Sequence, residues 1–326
     1  MTSFARPRVV ISRCIDFDSC RYNGQVVRAS LREELEPWLD FVPICPELEI
    51  GLGVPRDPIR LVAGVGGEQL VQPSTGRDLT QPMARFTRDW LSDAGEVDGF
   101  ILKSRSPSCG VGSAKVHRPD DSGPPARGSG LFAAGAQERY PRAAIEEETR
   151  LGNLLIRDFF LTKLFTVAAF REAAAQRSPA ALVDFHARNK LLLMGFNQTR
   201  MRALGRIVAE QKLTSADDAL ERYGAELDAA LRRAPRIPAT VNVVTHAFGH
   251  FKKLLTRREK DHFFETLEAY RSRHVPLSAV NAMLRSWAAR FDAGYVAGQS
   301  FFEPYPAALV RLEAARGRGR DVLDRV

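Results

Sequence analysis

Short apolar runs separated by polar stretches dominate the first 135 residues, and long amphipathic stretches dominate the remainder. Val9-Val10-Ile11, Phe41-Val42-Pro43-Ile44 and Phe100-Ile101-Leu102 are apolar blocks bounded by turn formers, the pattern of buried strands. Between them, Ser30 to Leu39 and Thr80 to Leu91 have helical spacing. Residues 7 to about 135 therefore read as α/β with a mostly parallel sheet. The Pro/Gly/Ser-rich segment Pro119 to Gly130 reads as a mobile surface loop. From Ala143 onward the reading is helical, with Glu146-Glu147-Glu148 at a helix start and Leu151, Leu154, Leu155, Phe159, Leu161, Leu164 and Phe165 following. An alanine-rich stretch ends before Ser178-Pro179 and places a boundary near Gln176. The expected organisation is an α/β domain over 1–175 and an all-α domain over 176–326. Helices of the second domain are expected near 181–211, 215–233, 240–255, 258–272, 276–291 and 304–316.

Composition adds bounds on compartment and partners. At 326 residues, with 44% hydrophobic and 26% charged residues, the chain has the makeup of a globular protein of two ordinary domains. No apolar run approaches the ~20 residues needed to span a bilayer, and no signal-peptide pattern opens the sequence. The expectation is a cytoplasmic protein without a membrane partner, whose four cysteines are thiols or metal ligands rather than disulfides. The net charge of +8 is unevenly spread. Residues 176–326 carry 25 Lys+Arg against 16 Asp+Glu, a net +9, and the remainder is −1. Within residues 251–260, Lys252, Lys253, Arg257, Arg258 and Lys260 stand against the single acid Glu259, a candidate phosphate-contact surface. Charge kept for solubility is the plainer reading of the same asymmetry.

The candidate chemistry lies at the strand ends. The three apolar blocks are followed by Cys14, Cys45 and Cys109 respectively. If the strands are parallel neighbours, all three thiols emerge at the carboxyl edge of one sheet, where open α/β sheets place ligand sites. No C-x-x-C pair exists, so zinc-ribbon spacing is absent, and His117 reads as a surface residue. Three isolated thiols suit an iron–sulfur cluster with one iron left open; buried, unreactive thiols are the alternative. Glu47 follows Cys45 by two residues, within reach for proton transfer. Ser106-Pro107-Ser108-Cys109-Gly110 surrounds another thiol with hydroxyls and a permissive glycine. His246 and His250 have helical metal-ligand spacing but no third partner. Phe263, Phe264, Phe301 and Phe302 read as core.

These motifs form a recognisable set. Ser12-x-Cys14, Cys20-Arg21-Tyr22-Asn23-Gly24, Cys45-Pro46-Glu47, Gly51-Leu52-Gly53-Val54-Pro55-Arg56, Lys103 to Gly110 and Glu146 to Leu151 resemble the thiouracil desulfidase (TudS) family over residues 7–172. His186 to Lys190, His246 to Lys252, Tyr270-Arg271, Pro276-Leu277 and Pro304-Tyr305-Pro306 resemble the YbgA-type domain of unknown function. The fusion resembles the RudS family of tRNA desulfidases. The resemblance implies that Cys14, Cys45 and Cys109 bind a 4Fe-4S cluster with one open iron, and that Glu47 and Ser106 are catalytic. It further implies non-redox, hydrolytic conversion of 4-thiouridine in tRNA to uridine, with tRNA as partner and no obligate protein partner. Lys252, Lys253, Arg257 and Arg258 are then the expected tRNA contacts, and Glu47 serves as general base or general acid. Cys20 is left outside the ligand set. Two other readings stand beside this one. One is desulfuration of free thiouracil or thionucleosides; the other is a non-enzymatic nucleic-acid-binding protein with a structural or redox-sensing cluster.

Overall fold

The computed structural model describes residues 4–311. They group into two units, one of residues 4–168 with 306–311, the other Ala169–Tyr305. In the first unit the strands are β1 (Arg8–Ser12), β2 (Asp40–Ile44), β3 (Arg60–Gly64), β4 (Gly67–Gln72), β5 (Arg77–Asp78), β6 (Gly99–Leu102), β7 (Ala114–His117), β8 (Ala126–Gly128) and β9 (Ala144–Glu147). The helices of this unit are α1 (Leu31–Leu35), α2 (Pro46–Glu49), α3 (Thr80–Asp93) and α4 (Leu131–Arg139). The boundary with the second unit falls within α5 (Leu154–Ala175).

The main sheet has the order β2-β1-β6-β9 with every pairing parallel. Its central strands β1 and β6 are apolar almost throughout, with Val9, Val10, Ile11, Phe100, Ile101 and Leu102 buried, as strands covered on both faces require. Pro43 sits in β2, an edge strand, where a missing N–H interrupts no further ladder. The second sheet, in the order β5-β4-β3-β7-β8, is antiparallel except at β3–β7. Helix α3 serves two cores. Its Leu91 packs with Val10, Phe100, Leu102 and the α4 residues Phe132 and Ala136, while its Met83 packs with Leu61, Leu70 and Val116 of the second sheet. Phe86 touches both cores.

Two expectations for this unit are corrected. Glu146 and Glu147 belong to strand β9 rather than a helix start, and the long helix begins only at Leu154. Parallel pairing of Ala144–Glu147 with Gly99–Leu102, together with backbone N–H partners for the carboxylates, outweighs the helical preference of glutamate. The Pro/Gly-rich segment is also not a loop throughout. Ala126–Gly128 pairs antiparallel with β7, and Gly130 is pressed against the Cys109 turn.

The second unit is helical, with α6 (Pro179–Glu210), α7 (Ala216–Ala230), α8 (Ile237–Gly249), α9 (Arg257–Arg271), α10 (Leu277–Arg290) and α11 (Gly294–Ala297). Its core stacks Phe248 on Phe263 at 4.5 Å between centroids, with Trp287 and Phe251 alongside. Phe264, expected in the core, is 48% exposed. Helix α6 is interrupted at Asn197 (φ −161°), whose Oδ1 accepts the Arg200 N–H at 3.1 Å and caps the second half. Upstream of the break, Gln299 accepts from Leu191 N at 3.0 Å and donates to the Ala187 carbonyl at 2.8 Å. The helix expected at 304–316 is absent up to residue 311. Only the 3₁₀ turn Ala307–Leu309 forms after Pro304 and Pro306, and residues from 312 lie outside the described residues. No helix among the described residues is long and apolar enough to cross a membrane.

Candidate functional site

Parallel pairing of β1 with β2 and β6 brings their carboxyl ends to one edge. Cys14 follows the end of β1, Cys45 follows β2 directly, and Cys109 lies in the turn after β6. The loop after β1 is shaped by Asp16, whose carboxylate accepts the N–H groups of Ala29 (2.6 Å) and Leu31 (2.7 Å) and so caps α1. The Cys14 carbonyl accepts Val27 N at 2.7 Å, closing the same loop. Cys45 precedes α2, with Pro46 preset for the first helical position and Glu47 in the first turn.

The Cys109 turn is held from three sides. Ser106 Oγ accepts the N–H groups of Ser108 (3.2 Å) and Cys109 (3.1 Å). The first N–H groups of α4 donate to it, Leu131 to the Pro107 carbonyl and Ala133 to that of Ser108. From the end of β9, Glu147 accepts Val111 N at 2.6 Å and the Ser113 hydroxyl, while Glu148 accepts Ser104 N at 2.7 Å and pairs with Lys103. These buried carboxylates are structural braces of the turn. Gly130 makes the approach possible, because a Cβ there would lie 2.3 Å from the Ser108 carbonyl carbon.

Glu47 is gripped at both oxygens. Oε2 accepts Arg56 Nε at 2.9 Å and Nη2 at 2.7 Å; Oε1 accepts Ser108 Oγ at 3.1 Å and Ser106 Oγ at 3.5 Å. The structure thus joins Glu47 and Ser106, two expected site residues, and adds two without an assigned role, Ser108 and Arg56. Arg56 ends the Gly51–Arg56 motif, but its partner lies across a turn, a relation no spacing rule encodes. Ser12 completes the wall, its hydroxyl accepting Lys103 N at 2.9 Å and meeting the Cys109 thiol.

All four cysteines are free and buried. The Cys20 thiol lies within hydrogen-bonding reach of Cys14 and Cys45, so the cysteine left out by the sequence reading is part of the site. Its hydrogen bond with Cys14, with burial in support, pushes the Cys20 thiol up to about 11. The hydrogen bond to Cys20 and burial push Cys45 up as well, and burial pushes Cys109 up to about 12 despite contacts with Ser12 and Ser106. Among the described residues, no group of three or more His, Cys, Asp and Glu side chains closes on one metal ion. The candidate donors are nevertheless all sulfur, and the Cys20 thiol bridges Cys14 and Cys45 by hydrogen bonds. That chemistry fits a multi-iron, sulfide-bridged group better than a single hard cation.

In the second unit, Lys252 and Lys253 lie in the turn after α8, and Arg257 and Arg258 open α9; all four are exposed. The helix start is secured instead by the Thr256–Glu259 capping box. The arginines sit where the helix dipole disfavours cations, although Arg257 pairs with Asp261 one turn on at 3.7 Å. His246 and His250 stack edge to face at 5.9 Å, and His250 lies against Tyr295. His117 is half-buried on β7 and faces Asp121 at 3.4 Å.

Residues 9–148 match the family model described as 2-thiouracil desulfurase, and residues 190–306 match that of a protein of unknown function, DUF1722. The chain is 31% identical over 147 residues to the uncharacterized protein YbbK of Bacillus subtilis, covering 43% of this chain and 96% of that protein. It is 27% identical over 130 residues to the uncharacterized protein YbgA of Escherichia coli, covering 40% of this chain and 77% of that protein. A solved structure described as 4Fe-4S-dependent thiouracil desulfidase TudS is similar at 26% identity, with a TM-score of 0.36, over 45% of this chain and 93% of that one. With the family match over residues 9–148 and the likeness to nearly the whole of the Bacillus protein, this chain belongs to the 2-thiouracil desulfurase family.

Proposed function

We propose that this protein hydrolyses the thiocarbonyl of a thiouracil base, acting on 4-thiouridine within tRNA, with a 4Fe-4S cluster held by Cys14, Cys45 and Cys109. The convergence of those thiols with Glu47 and Ser106 at one sheet edge carries the reading. When bound, the cluster supplies a soft Lewis acid for sulfur. The chain supplies the rest. Glu47 accepts a proton from the attacking water, the Ser106 and Ser108 hydroxyls hold its Oε1, and Arg56 holds Oε2. The reaction balances as thiocarbonyl plus water giving carbonyl plus hydrogen sulfide, without net redox change.

The tRNA substrate is supported by the net +9 of residues 176–326 and by the exposed Lys252, Lys253, Arg257 and Arg258. Anaerobic reconstitution with iron and sulfide, followed by nucleoside analysis of incubated tRNA, tests the reading. Loss of 4-thiouridine with release of one sulfide per base is expected; unchanged 4-thiouridine with a full cluster would sink it. The family description favours one second reading, free thiouracil as the substrate. It predicts turnover of the free base with no salt-sensitive tRNA binding.

A further inference from the structure

Nine residues after Glu47 the chain returns to it. The Arg56 side chain is 6% exposed, and its guanidinium is divided among three partners. Nε and Nη2 converge on Glu47 Oε2, while Nη1 donates to the carbonyl oxygens of Cys20 and Gly53, both at 3.1 Å. The backbone N–H of Arg56 donates to the Tyr22 carbonyl at 2.8 Å. The Cys20 carbonyl also faces the Cys45 thiol, with Sγ at 3.9 Å. One planar cation therefore ties the Glu47 carboxylate to the loop carrying Cys20 and, through that carbonyl, to the second expected cluster ligand.

The division of the two carboxylate oxygens is the informative point. Arg56 engages Oε2 alone, leaving Oε1 toward the Ser106–Cys109 turn. Helix α2 has only four residues, and directed hydrogen bonds at both carboxylate oxygens set how Glu47 is turned. A lysine at this position has the charge but not the fork. Its three donors radiate from a single nitrogen, whereas the contacts made by Arg56 use three separate nitrogens of one rigid plane.

We propose that Arg56 is a positioning residue, which turns Glu47 so that Oε1 is the oxygen presented to the reacting water. This rests on the reading of Glu47 as the proton acceptor. Correct orientation of a catalytic group affects the chemical step more than substrate capture, so the signature is a fall in kcat with KM preserved.

The test uses the full chain, reconstituted anaerobically, with free thiouracil as substrate. For Arg56→Lys and Arg56→Ala, iron and sulfide per chain and the cluster absorption should match the parent, while kcat falls by about 30-fold with KM within about twofold. Added guanidinium ion should restore the Arg56→Ala variant by at least about fivefold, a response no purely structural role would give. In a Glu47→Gln background, replacing Arg56 should cost nothing further, because its effect passes through that carboxylate. Parent-like kcat in Arg56→Ala, or a loss that guanidinium leaves untouched and that adds to Glu47→Gln, would overturn the proposal. Failure of both variants to fold would assign Arg56 to the fold and overturn it too. Glu47→Gln alone separates the two claims. If it keeps full activity, the base assignment fails; if it is inactive while Arg56→Ala is not, only the positioning role fails.

Discussion

The Ser108 hydroxyl stands 3.1 Å from Glu47 Oε1, closer than the Ser106 hydroxyl at 3.5 Å. Ser106 has a second duty, accepting the backbone N–H groups of Ser108 and Cys109, so the two serines divide the work. Ser108→Ala is expected to lower kcat about tenfold with cluster content intact. Ser106→Ala should also reduce iron per chain, because the Cys109 turn loses its anchor. Equal cluster content with equal activity in both variants would contradict this division.

Gly130→Ala tests how tightly the Cys109 turn is seated. The added Cβ would lie 2.3 Å from the Ser108 carbonyl carbon and 2.7 Å from Cys109 N, both backbone atoms. A loss of about 3 kcal/mol or more in folding stability is expected, with reduced iron uptake, read by denaturant titration and iron analysis. A change within about 0.5 kcal/mol would mean the helix start and the turn separate freely.

The thiols give the cluster-free protein a definite response to alkali. Cys20 and Cys109 are raised from 9.0 to about 11 and about 12, so the folded state keeps these protons after the unfolded chain has released them. Their contribution to stability is complete below pH 9 and is lost as pH rises through about 11 to 12. Denaturant titrations between pH 8 and 11 should show a steeper fall for the parent than for Cys109→Ser. Parallel curves would refute the effect.

Cys20 sits beside two expected ligands without being counted among them. If the proposed ligands Cys14, Cys45 and Cys109 hold the cluster, Cys20→Ala is expected to retain iron, sulfide and the cluster absorption. Loss of the absorption in a folded variant would make Cys20 a fourth ligand and favour a structural or sensing cluster.

Charge reversal at Lys252, Lys253, Arg257 and Arg258 should weaken tRNA binding and flatten its salt dependence, while turnover of free thiouracil is unchanged. All four side chains are exposed, so the melting temperature should hold. Equal loss on tRNA and on thiouracil would assign these residues to folding.

The strand-end cysteines are legible in the chain because central parallel strands are short, apolar and bounded by turns, and parallel order alone carries their ends to one edge. Most helices of the second unit are legible for an equally local reason, their apolar spacing. Other features depend on partners far away in sequence. Glu147 and Glu148 look like a helix start until β6 supplies a strand partner and the Cys109 turn supplies N–H donors. Cys20, Ser108 and Arg56 acquire meaning only through side chains brought to them by the fold. The break at Asn197 is likewise invisible to periodicity, since α6 resumes after it.

The three expected ligands stand behind β1, β2 and β6, with Cys14 and Cys109 far apart in the chain. During synthesis the first two thiols emerge well before the strand that positions the third. A complete cradle exists only once β6 has entered the sheet beside β1 and α4 has closed on the turn beyond it. On the proposed ligand set, full iron uptake would require β6 and α4 to be in place, so iron content would report how much of the chain has formed this sheet edge.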